Sequence, residues 1–145
     1  MKPFPQTART VLLVALAALS PLGYAHALDA QLDCKSNPHA FIAPLQDSHE
    51  IESTPMRVEP NSINAFKPTH GSQLTAFDFG VYALVAYQKD DAIFQQGSGE
   101  PIGDSYGAVV IGPSKSVEAK VRAAGSGAVI RHVAPFITAI FCKPD

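Results

Sequence analysis

The feature that most constrains this chain is its cysteine content, because its only two cysteines stand near opposite ends. Cys34 precedes most of the chain, and Cys142 is the fourth residue from the C-terminus. An even cysteine count in an exported protein indicates a disulfide rather than a catalytic thiol or a metal pair. Cys142 also follows an apolar run, residues 136–141, which disfavours a reactive thiolate. We therefore predict a structural disulfide between Cys34 and Cys142.

The N-terminal residues have the pattern of a secretory signal peptide. Lys2 and Arg9 precede an uninterrupted apolar run at residues 11–19, and Ala25-His26-Ala27 places small residues on both sides of His26. The apolar run is too short to span a membrane, which requires about 20 residues. We predict that residues 1–27 are a cleaved signal peptide and that residues 28–145 form a single domain in the periplasm or outside the cell.

The composition and charge of the chain exclude some classes of protein and of partner. The chain is 46% hydrophobic and 17% charged, which is typical of a globular domain rather than a disordered polyelectrolyte. Without residues 1–27 it carries 9 basic and 13 acidic residues, so a nucleic-acid partner is not expected. No later segment is long and apolar enough to predict membrane insertion after cleavage.

The first half of the domain is predicted to be rich in turns and strands. Six prolines and glycines interrupt residues 35–73, so we expect no long helix there, but short strands at 56–59 and 63–66 and a turn at 67–72. Residues 73–88 carry the strongest strand pattern, and Gly80 indicates a bulge or a break in that strand. The side chains expected on one face of it are Phe77, Phe79, Val81, Ala83, Val85 and Tyr87.

The second half predicts one helix among several strands. Residues 92–96 are expected to return as a partner strand, residues 97–104 to form a flexible loop, and residues 106–111 to form a buried strand. A helix is predicted at 115–124, with Ser114 as its N-cap and Gly125 after its end. Strands at 128–133 and 136–142 close the chain. The predicted fold is α+β, with a small mixed or antiparallel sheet and one main α-helix packed on a face.

One motif suggests nucleophilic catalysis. Residues 103–107 read G-x-S-x-G, the pattern of a nucleophile elbow around Ser105, and Glu118 and His132 follow in the order of a catalytic triad. That elbow requires a strand before the serine and a helix after it, whereas here a loop precedes Ser105 and a strand follows. We therefore assign no catalytic residue and keep a small serine hydrolase as an alternative.

The sequence contains few residues that could form a metal or cofactor site. Residues 47–52 (DSHEIE) are the only local cluster of possible metal ligands, and an extended segment presents two of them on one face, fewer than a zinc or copper site needs. The phosphate-loop and dinucleotide-binding patterns are both incomplete. We predict no cofactor and no metal, and keep a small-ligand or metal-binding protein as a second alternative.

The leading hypothesis is an exported, non-enzymatic protein that binds a protein partner, in the manner of an inhibitor, an immunity protein or an envelope accessory protein. The loops at 67–72 and 97–105 are the expected contact surfaces, because loops on a rigid scaffold often carry function. The candidate contact residues on them and beside them are His70, Asp104, Ser105 and Tyr106.

Overall fold

The computed structural model describes residues 25–143 of the chain. This part of the chain contains eight strands, two α-helices and one 3-10 helix. The strands are β1 (His26–Ala27), β2 (Arg57–Val58), β3 (Asn64–Phe66), β4 (Leu74–Ala76), β5 (Phe79–Tyr87), β6 (Ser105–Ile111), β7 (Val129–Ala134) and β8 (Ile137–Cys142). The 3-10 helix is Asp29–Asp33, and the α-helices are α1 (Pro38–Asp47) and α2 (Ser114–Ala123).

The strands form one mixed sheet, which confirms the predicted sheet class. Its order is β1–β4–β5–β6–β8–β7, and β3 pairs with β5 on the same edge as β4, with β2 outside β3. Only the β1–β4 pair is parallel; the other pairs are antiparallel. Since β6 and β7 both run antiparallel to β8, they are parallel to each other, and α2 is the crossover that connects them.

Two helices, not one main helix, pack on the sheet, and α1 corrects the prediction for residues 35–73. Pro38 is the first residue of α1, where its missing N–H costs nothing, and the Asn37 side chain accepts a hydrogen bond of 2.8 Å from the Ala40 N–H. Pro44 alone lies inside the helix. The proline count therefore overstated the disruption, because one of the two prolines occupies a position that favours a helix start.

The predicted long strand at 73–88 is a hairpin instead. Phe77 and Asp78 both have positive φ, 50° and 73°, and form the two-residue turn between β4 and β5. The break therefore precedes Gly80. A bulge between Val81 and Ala83 then shifts the alternation of β5, so Leu84 faces the core while Val85 faces outward. The predicted face that ran from Phe77 to Tyr87 is divided between both sides of the sheet.

Residues 92–96 do not form the predicted strand. Both edges of β5 are already taken, by β6 on one side and by β3 and β4 on the other. The backbone of Gln95 pairs instead with the side chain of the fully buried Asn64, which donates to the Gln95 carbonyl at 2.8 Å and accepts from its N–H at 2.9 Å. A buried amide thus replaces a strand partner in satisfying this backbone.

Helix α2 and the last two strands lie close to their predicted positions. The helix begins at Ser114, so Pro113 rather than Ser114 is its N-cap, and Gly125 follows its end with φ +83°. The Ser114 hydroxyl lies 3.0 Å from that of Thr138 on β8. A left-handed residue after a helix is favourable for glycine because it has no Cβ.

The hydrophobic core lies between one face of the sheet and the three helical segments. Fully buried side chains from both layers meet there. They are Leu32, Ile42, Phe66, Leu84, Ala108, Val110, Val117, Val121 and Ile140.

The disulfide between Cys34 and Cys142 is present, with a Cα–Cα distance of 5.0 Å, which confirms the predicted pairing. It joins the residue after the 3-10 helix to the last residue of β8. Such a bond indicates an oxidising, non-cytoplasmic compartment. Among residues 25–143, no helix has the length and hydropathy needed to cross a membrane.

Most of the predicted signal peptide, residues 1–24, lies outside the described residues. Its last residues are described, and His26–Ala27 pairs with Leu74–Thr75 as β1. Leu28 is buried, and its backbone N–H donates to the Thr75 carbonyl at 2.8 Å. Cleavage after Ala27 would therefore remove β1, but Leu28, the new first residue, would keep its hydrogen bond to β4.

Candidate interaction surface

The sheet face opposite the core carries apolar side chains that remain exposed to solvent. Residues paired directly across neighbouring strands point to the same side of a sheet. By this register, six apolar residues of β5, β6 and β8 that are not buried share the face opposite the core, although Ala83 and Tyr87 on the same face are buried. These six, which we call the open face, are Val85, Val109, Ile111, Ile137, Ala139 and Phe141.

Three of the five large exposed apolar side chains lie on or beside one end of this face, while Met56 lies before β2 and Tyr82 lies at the bulge of β5. Ile111 is 55% exposed and pairs with Ile137, and Val133 on β7 is also 55% exposed. Phe136, in the turn between β7 and β8, is 67% exposed, and its carbonyl accepts a hydrogen bond from the Gly112 N–H at 2.7 Å. Contiguous exposed apolar surface is unusual on a monomeric protein and marks an interaction site when it is extensive.

A groove of about 320 Å³ lies on the open face towards its other end. Val85, Val109, Ala139 and Phe141 are its apolar lining from the strands. Asn61, Ile63 and Ile102 border it on the β3 side, Arg131 borders it from β7, and Lys143 follows the end of β8. The groove therefore combines an apolar lining with two cations.

The loop predicted at 97–104 is irregular, but hydrogen bonds hold it in place. The Gly99 N–H donates to the Pro60 carbonyl at 2.9 Å, and the Ile102 N–H donates to the Asn61 carbonyl at 2.8 Å. The Gly97 N–H donates to the Ser62 hydroxyl at 2.9 Å. These bonds place Ile102 at the border of the groove, so this loop contributes to the candidate surface through an apolar residue absent from the predicted contact set.

The four predicted contact residues do not form one surface. His70 is exposed in the turn at 67–72, and Asp104 is exposed with its carboxylate accepting from the Lys89 N–H at 3.1 Å. Ser105 and Tyr106 are 1% and 3% exposed. The latter two residues are therefore almost entirely buried, although Tyr106 lines a small cavity of about 130 Å³ together with Asp104.

Tyr106 has a structural environment. Its hydroxyl donates to the Gln31 carbonyl at 2.9 Å and accepts from the Ser36 N–H at 3.1 Å, and its ring lies 4.9 Å from that of Phe41. Burial raises the pKa of this phenol, and the nearby Asp33 carboxylate adds to the increase. The neutral hydroxyl thus connects β6 to the segment that contains Cys34.

The structure does not bring the serine, acid and histidine of the G-x-S-x-G alternative together. The Ser105 hydroxyl donates to the Gly103 carbonyl at 2.6 Å. His132 is level with Thr138 and Val110, five residues further along β6 than Ser105. At about 3.3 Å per residue this is a separation of roughly 17 Å along the strands alone. Glu118 is exposed on α2, 4.0 Å from Arg122.

The ligand-type residues at 47–52 also take other roles. Glu50 accepts hydrogen bonds of 2.6 Å from the Ser48 hydroxyl and of 2.6 Å from His26 Nδ1. The Ser48 bond holds the pKa of Glu50 below its usual 4.5, desolvation opposes this, and His26 lowers it further. Within residues 25–143, no group of three or more His, Cys, Asp or Glu side chains is placed to hold a metal ion.

Comparison with known proteins adds no assignment. No protein-family model, curated protein or solved structure matches this chain.

Proposed function

We propose that this protein is an exported, non-enzymatic binding protein whose partner is another protein docked on the open face of the sheet. The observation that carries the proposal is the unequal coverage of the two sheet faces. Three helical segments bury one face, whereas on the other face Ile111 is more than half exposed, as are Val133 and Phe136 beside it. Covering these side chains with a partner would remove apolar area from water, which is the main favourable term in protein association.

The compartment supports an extracytoplasmic role. A disulfide that closes almost the whole domain is typical of periplasmic and secreted proteins, and the N-terminal residues have the pattern of an export signal. The partner would then be a protein of the envelope or the exterior. An inhibitor or accessory protein, which acts by covering a surface of its partner, needs a rigid docking face and no reactive group.

Site-specific photo-cross-linking tests the proposal in cells that export the chain naturally. A benzoylphenylalanine at Val133 on β7 is compared with one at Ala119, which is exposed on α2 beside the covered face. We expect a discrete heterologous cross-linked protein from position 133 and none from position 119. Adding Ile111→Ser and Phe136→Ser should abolish the cross-link while the circular dichroism spectrum stays unchanged.

Two outcomes would overturn the proposal. One is equal cross-linking from positions 133 and 119, since that would show contact without preference for the open face. The other is no heterologous product from position 133 when the exported chain is abundant and folded.

A further inference from the structure

The charges of the chain are distributed unevenly around the open face. Residues 119–145 contain four basic residues and one acidic residue, Asp145, whereas residues 25–118 contain five basic and twelve acidic residues. The basic segment includes the end of α2, β7 and β8. Two of these four cations, Arg131 on β7 and Lys143 after the end of β8, border the open face, although the chain as a whole has a net charge of −2.

Two of the four cations form no ion pair with a carboxylate among the described residues. Lys120 pairs with Asp78 at 2.8 Å, and Arg122 lies 4.0 Å from Glu118. No ion pair within residues 25–143 involves Arg131 or Lys143, and these are the two cations that line the groove. Both line the groove, where an anionic group brought by a partner would meet them.

The neighbouring edge of the sheet is less suited to receive a partner strand. The edge strand β7 carries Arg131 and His132, its pairing with β8 is irregular between His132 and Ala134, and Pro135 follows it. Charges, bulges and proline are the devices that keep exposed strand edges from pairing. Docking on the face is therefore favoured over addition of a strand to the edge.

A second copy of this chain packed groove against groove is also disfavoured as the occupant. That packing would bring Arg131 and Lys143 of both copies opposite each other. Like charges opposed across an interface select against that pairing. An acidic partner would meet the same cations favourably.

Resting on the proposed function, we propose that the partner protein presents apolar side chains bordered by carboxylates. The apolar side chains bind in the groove, and the carboxylates contact the cations Arg131 and Lys143. The apolar lining from Val85, Val109 and Phe141 takes the apolar side chains. A groove of about 320 Å³ lies at the small end of ligand-binding pockets, so it suits a few side chains of a protein rather than a large ligand.

The test uses two synthetic probes and the oxidised chain purified after export. One probe is an acetylated and amidated nonapeptide in which Glu alternates with Leu and Phe, and the other has Lys in place of every Glu. Amide chemical shifts of the isotope-labelled protein are followed during titration. We expect the acidic peptide to shift the resonances of Val85, Val109 and Phe141 and to bind about five-fold tighter or more than the basic peptide, as two partly exposed ion pairs imply.

Charge-matched variants locate the effect. Arg131→Glu should abolish the preference for the acidic peptide, whereas Lys115→Glu, which makes the same charge change on exposed α2, should leave it within about two-fold of the original value. Equal binding of both peptides, stronger binding of the basic peptide, no groove shifts, or equal effects of the two variants would each overturn the acidic-partner inference.

The two proposals can fail separately. If the cross-link from position 133 is specific while the peptides show no charge preference, the open face is an interface and the acidic chemistry is wrong. If sedimentation shows a dimer that Ile111→Ser abolishes, a second copy occupies the face and the acidic-partner inference is wrong.

Discussion

At position 107 the backbone of β8 leaves no space for a side chain. A Cβ added to Gly107 would overlap the Ile140 carbonyl oxygen and approach the Phe141 Cα at 3.0 Å. Gly107 is also the last glycine of the G-x-S-x-G pattern. Close strand packing therefore accounts for this glycine without invoking catalysis.

Gly107→Ala is expected to destabilise the protein by about 1–3 kcal/mol, the usual range for overpacking a rigid interior. Gly127→Ala is the matched control, because nothing lies within 4 Å of its added Cβ and its φ is not in the left-handed region. The control should be neutral or more stable by up to about 1 kcal/mol, since alanine restricts the unfolded chain. Urea denaturation of both variants measures the difference, and equal midpoints would contradict the steric explanation.

Glu50 should make stability depend on pH in the acidic range. Because its folded-state pKa lies below the usual 4.5, its ionised form stabilises the fold above that pH, and this contribution is lost as pH falls through the folded-state value. Glu50→Gln should therefore be less stable than the wild type at pH 7, and this difference should shrink as the pH falls below 4.5. Thermal melts from pH 7 into the acidic range measure the difference, and a difference that does not change with pH would contradict the titration.

The hydrogen bond from Ser48 makes the largest contribution to the lowered pKa of Glu50. Ser48 lies within the predicted mature domain, whereas His26 lies before the predicted cleavage site. The pH effect should therefore persist in a chain that begins at Leu28. Ser48→Ala in that chain should reduce the effect, and an unchanged pH profile would assign it to another group.

At the scale of elements, α1 shows why proline content alone misleads. Pro44 is the seventh residue of a ten-residue helix, where proline removes a backbone hydrogen bond, while Pro38 begins the helix at no such cost. The surrounding contacts support the helix despite Pro44, since Phe41, Ile42 and Leu45 are buried in the core. Tertiary packing therefore overrides a local helix breaker here.

Pro44→Ala is expected to stabilise the protein by about 2 kcal/mol. An interior proline costs about 3 kcal/mol relative to alanine, and the greater freedom of the unfolded alanine chain offsets up to about 1 kcal/mol. Pro38→Ala is the contrasting variant and should be destabilising, because Pro38 is buried and needs no N–H. Chemical denaturation distinguishes the two, and a loss of stability in Pro44→Ala would show that the ring makes contacts that outweigh the missing bond.

Strand prediction succeeded where both the pattern and the available sheet edges agreed. Residues 106–111 and 136–142 were expected as strands and form most of β6 and β8. Residues 92–96 (AIFQQ) contain fewer apolar residues and find no free edge beside β5. The periodicity of a segment indicates its preference for a strand. Whether the segment pairs in a sheet depends on whether a strand edge beside it is free.

At the scale of the whole molecule, the disulfide should contribute much of the stability. It joins residues 108 positions apart, and closing a loop of this length restricts the unfolded chain by about 4–5 kcal/mol in the chain-entropy model. Reduction should therefore lower the melting temperature by roughly 15 °C or more, given the usual few degrees per kcal/mol for a domain of this size.

Calorimetry with and without reductant measures this effect. A variant carrying both Cys34→Ala and Cys142→Ala is the control, because its melting temperature should not respond to reductant. If the oxidised and reduced wild-type proteins melt together, the disulfide does not contribute to stability as proposed.

Some properties of this protein could be determined from the sequence by itself. Two cysteines allow one intramolecular pairing, and helical periodicity with a following glycine located α2 to within one residue at each end. The helix pattern is local, and two cysteines allow one pairing, so neither prediction depends on contacts between distant residues. The burial of Asn64 could not be predicted from the sequence, because most asparagines in folded proteins are exposed.

Only the tertiary structure decided which apolar surface is covered. Val85, Val109 and Phe141 are as apolar in sequence as Leu84, Val110 and Ile140, yet the first three line the groove and the second three are fully buried. The same packing buries Ser105 and Tyr106, which the sequence suggested as contact residues. Strand alternation assigns residues to two faces, but long-range packing of α1, α2 and the 3-10 helix determines which face the helices bury.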